Sequence, residues 1–144
     1  MSKKQRETPR DSDFLPMPAR IAKALSVLAS GLLNPWDEST DDKFRPFSAP
    51  FPVKSPINGQ TLRAALKIAP RYHIDISEMR SLAFEAGEPD RSAFLLLQKV
   101  MKVSLNDIKV VYARAPGVVR VRMWILGRVK GGGLAGLRSE STET

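Results

Sequence analysis

Apolar residues recur every three or four positions in several stretches of the chain, which is the period of an amphipathic helix. The clearest stretch is 19–33, where Ile21, Leu25 and Leu28 fall on one face. This pattern predicts an N-terminal helix with one buried side. The same period predicts further helical segments over residues 61–69, 77–86 and 91–103.

Alternating apolar and polar residues predict strands in the middle and the last third of the chain. Residues 72–76 alternate briefly. The longer stretches 108–114 and 118–126 are separated by Ala-Pro-Gly, a turn signal, so they predict an antiparallel hairpin. A glycine-rich turn then leads to a short predicted strand over 134–137.

Residues 44–57 contain three phenylalanines and four prolines. Proline excludes a central strand, so this segment is predicted to be an edge strand or an extended covering segment. The order of elements predicts an α+β fold, with an antiparallel-rich sheet and helices packed on it. A chain of 144 residues predicts one domain, placed at 19–138, with a flexible basic N-terminal tail at 1–18 and a short C-terminal tail at 139–144.

The composition excludes several kinds of protein. There is no cysteine, so disulfide scaffolds and thiol nucleophiles are excluded, and a single histidine excludes a multi-histidine metal site. No apolar run approaches the roughly 20 residues that a membrane span needs. The N-terminus lacks the apolar stretch of a secretory signal. We therefore expect a soluble intracellular protein, in the cytoplasm or an organelle matrix, that is not secreted and has no membrane partner.

Motifs that could carry catalysis have simpler structural explanations. The stretch GGGLAG at 131–136 has the spacing of a dinucleotide-binding loop, but too few residues follow it to complete the strand–helix–strand unit. A tight turn between strands is the better interpretation. His73 could pair with Asp75 on a strand, yet no nucleophile or metal ligand accompanies them. We expect a non-enzymatic protein without a cofactor or a metal.

The charge balance favours a polyanionic partner. The chain has 23 Lys and Arg against 15 Asp and Glu, a net charge of +8. The last third is strongly basic, and its alternation places Arg120, Arg122 and Trp124 on one strand face. Arginines beside an aromatic ring suit phosphate contact and base stacking. The alternative is a solvated or covered sheet face with Trp124 buried. The candidate residues for binding RNA or DNA are Arg114, Arg120, Arg122, Trp124, Arg128 and Lys130.

Two stretches resemble a known family. Ser30-Gly31-Leu32-Leu33 closes the first helix, and Trp124-Ile125-Leu126-Gly127 precedes Gly133-Leu134-Ala135-Gly136 near the C-terminus. An acidic segment (37–39) and Pro46-Phe47 lie between them. In this order the motifs resemble the inhibitors of sugar-nonspecific nucleases, the nuclease A inhibitor-like family. The resemblance covers about half of the chain.

This resemblance implies a three-layer α/β/α sandwich with a mainly antiparallel sheet and a protein that plugs a nuclease active site. The implied contacts with a nuclease or another basic protein are Asp37, Glu38 and the C-terminal Thr144, with Trp36 as an apolar anchor. Inhibitors of this kind are expected to be acidic, whereas this chain is basic. A basic accessory protein of a nucleic-acid-rich assembly such as a ribosome is therefore the alternative. In either case we expect a monomer in isolation.

Overall fold

A computed structural model describes residues 16–32, 44–88 and 90–142. In this part of the chain, helices pack on both faces of a five-stranded sheet that is antiparallel throughout. The predicted fold class, α+β with a sandwich of helices and an antiparallel sheet, is confirmed. The helices are α1 (Met17–Leu32), α2 (Gly59–Ala65), α3 (Met79–Ala86) and α4 (Asp90–Ser104). The strands are β1 (Arg45–Ala49), β2 (His73–Ser77), β3 (Leu105–Arg114), β4 (Arg120–Val129) and β5 (Leu134–Thr142), in the spatial order β1-β5-β4-β3-β2.

One face of the sheet, the three-helix face, carries α1, α3 and α4. The buried faces of the helices follow the sequence period, because Ala22, Leu25 and Ala29 of α1 are almost fully buried. Phe94 and Leu97 of α4 are completely buried. These side chains meet the strand residues Val110, Ile125, Ala135 and Leu137, so the main core lies on this face.

The opposite face, the α2 face, is covered by α2 and the extended segment after β1. The side chains of Phe51, Leu62 and Leu66 pack there against Trp124 and Leu126 of β4. The proline-rich segment was predicted as an edge strand or a covering segment, and the structure shows both in succession. Residues 45–49 form the edge strand β1, and Phe51 then folds over the sheet.

Helix α2 is shorter than predicted for local reasons. It starts at a capping box, in which the Asn58 side chain accepts from the Thr61 amide and the Thr61 hydroxyl accepts from the Asn58 amide. It stops at Ala65, and Lys67 takes a φ of +57° that a helix cannot continue through. Residues 66–69 therefore leave the helix that the apolar period had included.

The last strand is longer than predicted. β5 pairs with β4 as far as Arg120↔Thr142, so residues 139–142, which were predicted as part of a C-terminal tail, belong to the sheet. The outer end of β5 consists of polar residues, so no alternation of apolar and polar positions predicts a strand there. The glycine-rich stretch is the predicted turn between strands, since Gly131, Gly132 and Gly133 all have positive φ between β4 and β5.

Candidate functional site

A cleft of about 250 Å³ opens at one corner of the α2 face, beyond the area that α2 covers. We call it the arginine cleft. Its floor is Trp124, which is only 4% exposed, while most of the charged side chains around it are exposed. The lining residues are Arg45, Arg120, Arg122, Trp124, Arg138, Ser139 and Glu140.

The strand register builds this cleft from three neighbouring strands. Arg45 of β1 lies opposite Arg138 of β5, and Arg138 in turn lies opposite Trp124 of β4. Arg122 lies opposite Glu140. Directly opposed residues share a face, so the register brings these side chains to one side of the sheet.

Aromatic rings hold Arg122 in the cleft. Its guanidinium carbon lies 5.1 Å from the centre of the Tyr72 ring and 5.4 Å from that of Trp124. Such cation–π contacts orient a guanidinium group without neutralising it. Tyr72 is itself held by Arg63, which donates hydrogen bonds to the Ala69 and Tyr72 carbonyls at 2.7 and 2.9 Å. The position of Arg122 thus depends on the loop that follows α2.

The charges of the cleft are unbalanced. Glu140 accepts from Arg120, with its Oε2 2.9 Å from Nε and 2.7 Å from Nη2. No ion pair between Arg45, Arg122 or Arg138 and another described residue is present. Arg45 and Arg138 are like charges directly opposite one another, an arrangement that destabilises a sheet. An anion bound between these arginines would remove this repulsion.

The structure brings together three of the residues predicted to bind nucleic acid. Arg120, Arg122 and Trp124 share the α2 face, as their alternation predicted. Trp124 is nevertheless buried, which was the alternative interpretation of this residue. Its ring serves as the floor of the cleft and as a support for Arg122, and it does not offer an open platform for a base.

Arg114 lies on the opposite face of the sheet. It is two residues from Tyr112, which packs in the three-helix core, and its guanidinium lies 4.8 Å from the Tyr112 ring. Its Nη1 donates to Asp75 at 3.2 Å. Arg114 is therefore not part of the arginine cleft.

Arg128 and Lys130 lie at the other end of β4. Arg128 is on the α2 face but six positions beyond Arg122, roughly 20 Å along the strand. Its side chain is only 17% exposed and donates to Asp107 at 3.2 Å and to the Val53 carbonyl at 3.1 Å. Lys130 is exposed in the turn that follows. The predicted basic residues thus do not form one continuous stripe.

Sequence reasoning did not select Arg45, Arg138 and Tyr72 as site residues. Arg138 was visible as part of the basic C-terminal third, but the predicted strand ended one residue before it. Arg45 and Tyr72 come from distant parts of the chain, and no local pattern connects them with β4. Only the pairing of β1 with β5 and the loop after α2 bring them to the cleft.

Other predicted contacts fall elsewhere. Trp36, Asp37, Glu38 and Thr144, which the family resemblance implied as nuclease contacts, lie outside the described residues. Over the parts of the chain that the structure describes, no three His, Asp or Glu side chains are grouped as a metal site would require. Nor does this part contain a helix with the length and apolar character needed to cross a bilayer.

Comparison with known proteins does not assign the chain to a family. No model of a known protein family matches the chain, and no curated protein matches it significantly in sequence. The resemblance to nuclease inhibitors therefore stays a prediction.

Proposed function

We propose that the protein binds RNA or DNA by placing backbone phosphates in the arginine cleft. The observation that carries this proposal is the convergence of four arginines around one concavity, to which the described residues contribute the carboxylate of Glu140. Guanidinium groups match phosphate oxygens in a bidentate geometry and stay charged at any physiological pH. The net charge of +8 supports the proposal, because it attracts a polyanion over a longer range.

The size of the cleft favours a phosphate over a larger ligand. Pockets for drug-sized molecules measure about 300–1,000 Å³, and this cleft measures about 250 Å³. The buried Trp124 ring leaves no open face on which a base could stack. Binding should therefore depend on charge more than on base identity, as is typical of proteins that contact the backbone.

The salt dependence of binding tests this proposal. If each of the three arginines that have no acidic partner among the described residues neutralises about one phosphate charge, the log–log salt slope should be about −2 for a single strand. We would measure it by fluorescence anisotropy with a labelled 12-nucleotide single strand. The double variant Arg45→Ala/Arg138→Ala should weaken binding and flatten the slope by about 1.4.

Lys130→Ala supplies the matched control. Lys130 is also exposed and basic, but it lies in the turn at the far end of β4. Its removal should change affinity by less than about twofold and leave most of the salt slope. Equal losses from Lys130→Ala and from the cleft variants would mean that net charge alone attracts nucleic acid, and would contradict a specific site.

A second candidate function is inhibition of a nuclease, with Asp37, Glu38 and Thr144 in its active site. The observation in its favour is the sandwich of helices on an antiparallel sheet, which is the fold that the resemblance implied. Carboxylates can replace substrate phosphates near a metal ion or basic residues. The strongly basic charge of the chain favours nucleic-acid binding instead.

A nuclease titration separates the two functions. A fixed amount of a sugar-nonspecific nuclease is assayed at two substrate concentrations while this protein is added. Half-inhibition that follows the nuclease concentration would support an inhibitor, and Asp37→Ala should then abolish it. Half-inhibition that scales with nucleic acid and disappears in salt would support binding to the substrate.

A further inference from the structure

We infer that the arginine cleft selects a terminal phosphate of a nucleic acid over the internal phosphodiesters, and that Glu140 sets this selectivity. The inference rests on the proposed function, since it assigns the part of the nucleic acid that the same site takes. It depends on the carboxylate that the structure places among the arginines.

Glu140 occupies the position of an anionic ligand. Its Oε2 lies between Nε and Nη2 of Arg120, at 2.9 and 2.7 Å, so it uses one edge of that guanidinium as a phosphate oxygen would. Its backbone is directly opposite Arg122. The Glu140 side chain is 44% exposed, so a ligand can reach and displace it.

The competition between Glu140 and a ligand depends on charge. A phosphodiester carries one negative charge, as a carboxylate does, and Glu140 is tethered beside Arg120 at a high effective concentration. An internal phosphate therefore gains little by replacing it. A phosphate monoester carries a charge of about −1.5 to −2 at pH 7 and has three acceptor oxygens. It can hold Arg120 in place of Glu140 and still contact the other arginines.

The arrangement of the arginines also fits a monoester. The guanidinium groups of Arg45, Arg120, Arg122 and Arg138 approach from three different strands around a cleft of about 250 Å³. A terminal phosphate offers three non-bridging oxygens to such convergent donors, whereas a phosphodiester offers two. The higher charge of a monoester and its third non-bridging oxygen therefore both favour binding of a terminal phosphate.

Two oligonucleotides of one sequence test the inference. We would titrate the full chain with a 10-nucleotide single strand that carries a 3′-fluorophore and either a 5′-phosphate or a 5′-hydroxyl, and repeat this with the label at the 5′ end and a 3′-phosphate or a 3′-hydroxyl. With at least one of the two ends, the phosphorylated strand should bind about fivefold more tightly, in line with one additional ionic contact. Glu140→Gln should tighten binding of the hydroxyl strand more than that of the phosphorylated strand, so the ratio falls towards one.

Asp107→Asn is the matched control, because it removes a carboxylate from the other arginine–acid pair of β4, outside the cleft. It should leave the ratio unchanged. Equal binding of phosphorylated and hydroxyl strands at both ends would overturn the inference and leave the proposed function standing. An unchanged ratio in Glu140→Gln would overturn the role of Glu140. Absence of binding by all strands would overturn the proposed function itself.

Discussion

Arg122 and Arg128 lie on the same strand and the same face of the sheet, yet their surroundings differ. Both guanidinium groups rest against aromatic rings, Arg122 against Tyr72 and Trp124, and Arg128 against Phe51 at 5.4 Å. Arg128 also donates to a carboxylate and to a backbone carbonyl. Arg122 has no acidic partner among the described residues, and other arginines surround it.

This difference separates a structural arginine from a candidate binding arginine. Arg128 finds its hydrogen-bond acceptors within the protein, in Asp107 and the Val53 carbonyl. Asp107 reaches it because the register of the β3–β4 pair shifts between Asn106 and Lys109, where Asp107 has a φ of +53°. At Arg122 two aromatic rings supply orientation, whereas the described residues supply little compensating charge. Clustered like charges destabilise a sheet, and an anion bound in the cleft, as proposed above, would offset this repulsion.

The largest expected effect is the loss of binding when two cleft arginines are removed. Arg122→Ala/Arg138→Ala should weaken binding of a single-stranded oligonucleotide by more than about a hundredfold, because two charged hydrogen-bonding groups are lost at about 1.5–3 kcal/mol each. Fluorescence anisotropy at fixed salt measures this loss. The free energy of unfolding should change by less than about 1 kcal/mol, because the repulsion relieved within the cleft offsets the contacts that Arg122 loses with Tyr72 and Trp124. Unaltered affinity would contradict the assignment of the cleft.

Arg128→Ala should have the opposite effects, lowering stability while leaving the affinity for nucleic acid almost unchanged. The free energy of unfolding should fall by about 1–2 kcal/mol, because the hydrogen bonds to Asp107 and Val53 and the packing on Phe51 are all lost. Urea unfolding measures the change, and the affinity for nucleic acid should stay within about twofold. A large loss of affinity in a variant that is still folded would erase the distinction between the two arginines.

Tyr72→Leu should weaken binding by about two- to fivefold, the value of one cation–π contact at an exposed site of about 0.5–1 kcal/mol. The reason is that Arg122 loses one of the two rings that orient it. The same titration measures the effect, with Tyr112→Leu as a control on the other face. If Tyr72→Leu binds as tightly as the unaltered protein, the orientation of Arg122 does not depend on the ring.

The smallest effect is expected from Asp107→Asn, which makes the surroundings of Arg128 more like those of Arg122. The Asp107 side chain is 59% exposed, so the free energy of unfolding should fall by only about 0.5 kcal/mol. Binding should not increase, because a single unpaired arginine lacks the neighbours that the cleft provides. An increase of fivefold or more would show that any unpaired arginine on this face suffices.

Helical and strand periodicity predicted most of the elements, because each pattern reflects one local buried face. The α1 and α4 helices and the β3–β4 hairpin follow from it, with ends that differ by a few residues. The same alternation predicted that Arg120, Arg122 and Trp124 share a face. The polar end of β5 escaped detection because its residues, Ser139 to Thr142, show no alternation of apolar and polar positions.

Periodicity does not predict the pairing register of the β3–β4 hairpin. Ala113 lies opposite Arg122, so Arg114 falls on the other face of the sheet. A shift of one residue would have placed Arg114 beside Arg122, because successive side chains alternate between faces. Local propensity does not distinguish these two registers. Packing on both faces selects one of them.

The sequence by itself determined the fold class, the basic character of the last third and the common face of Arg120, Arg122 and Trp124. These properties depend on residues that are near one another in the chain. Only the tertiary structure decided that Arg45 and Arg138 complete the cleft, that Tyr72 supports Arg122 and that Arg128 is internally satisfied. Each of these contacts joins segments distant in sequence, whose meeting is fixed by strand order and by burial on both faces of the sheet.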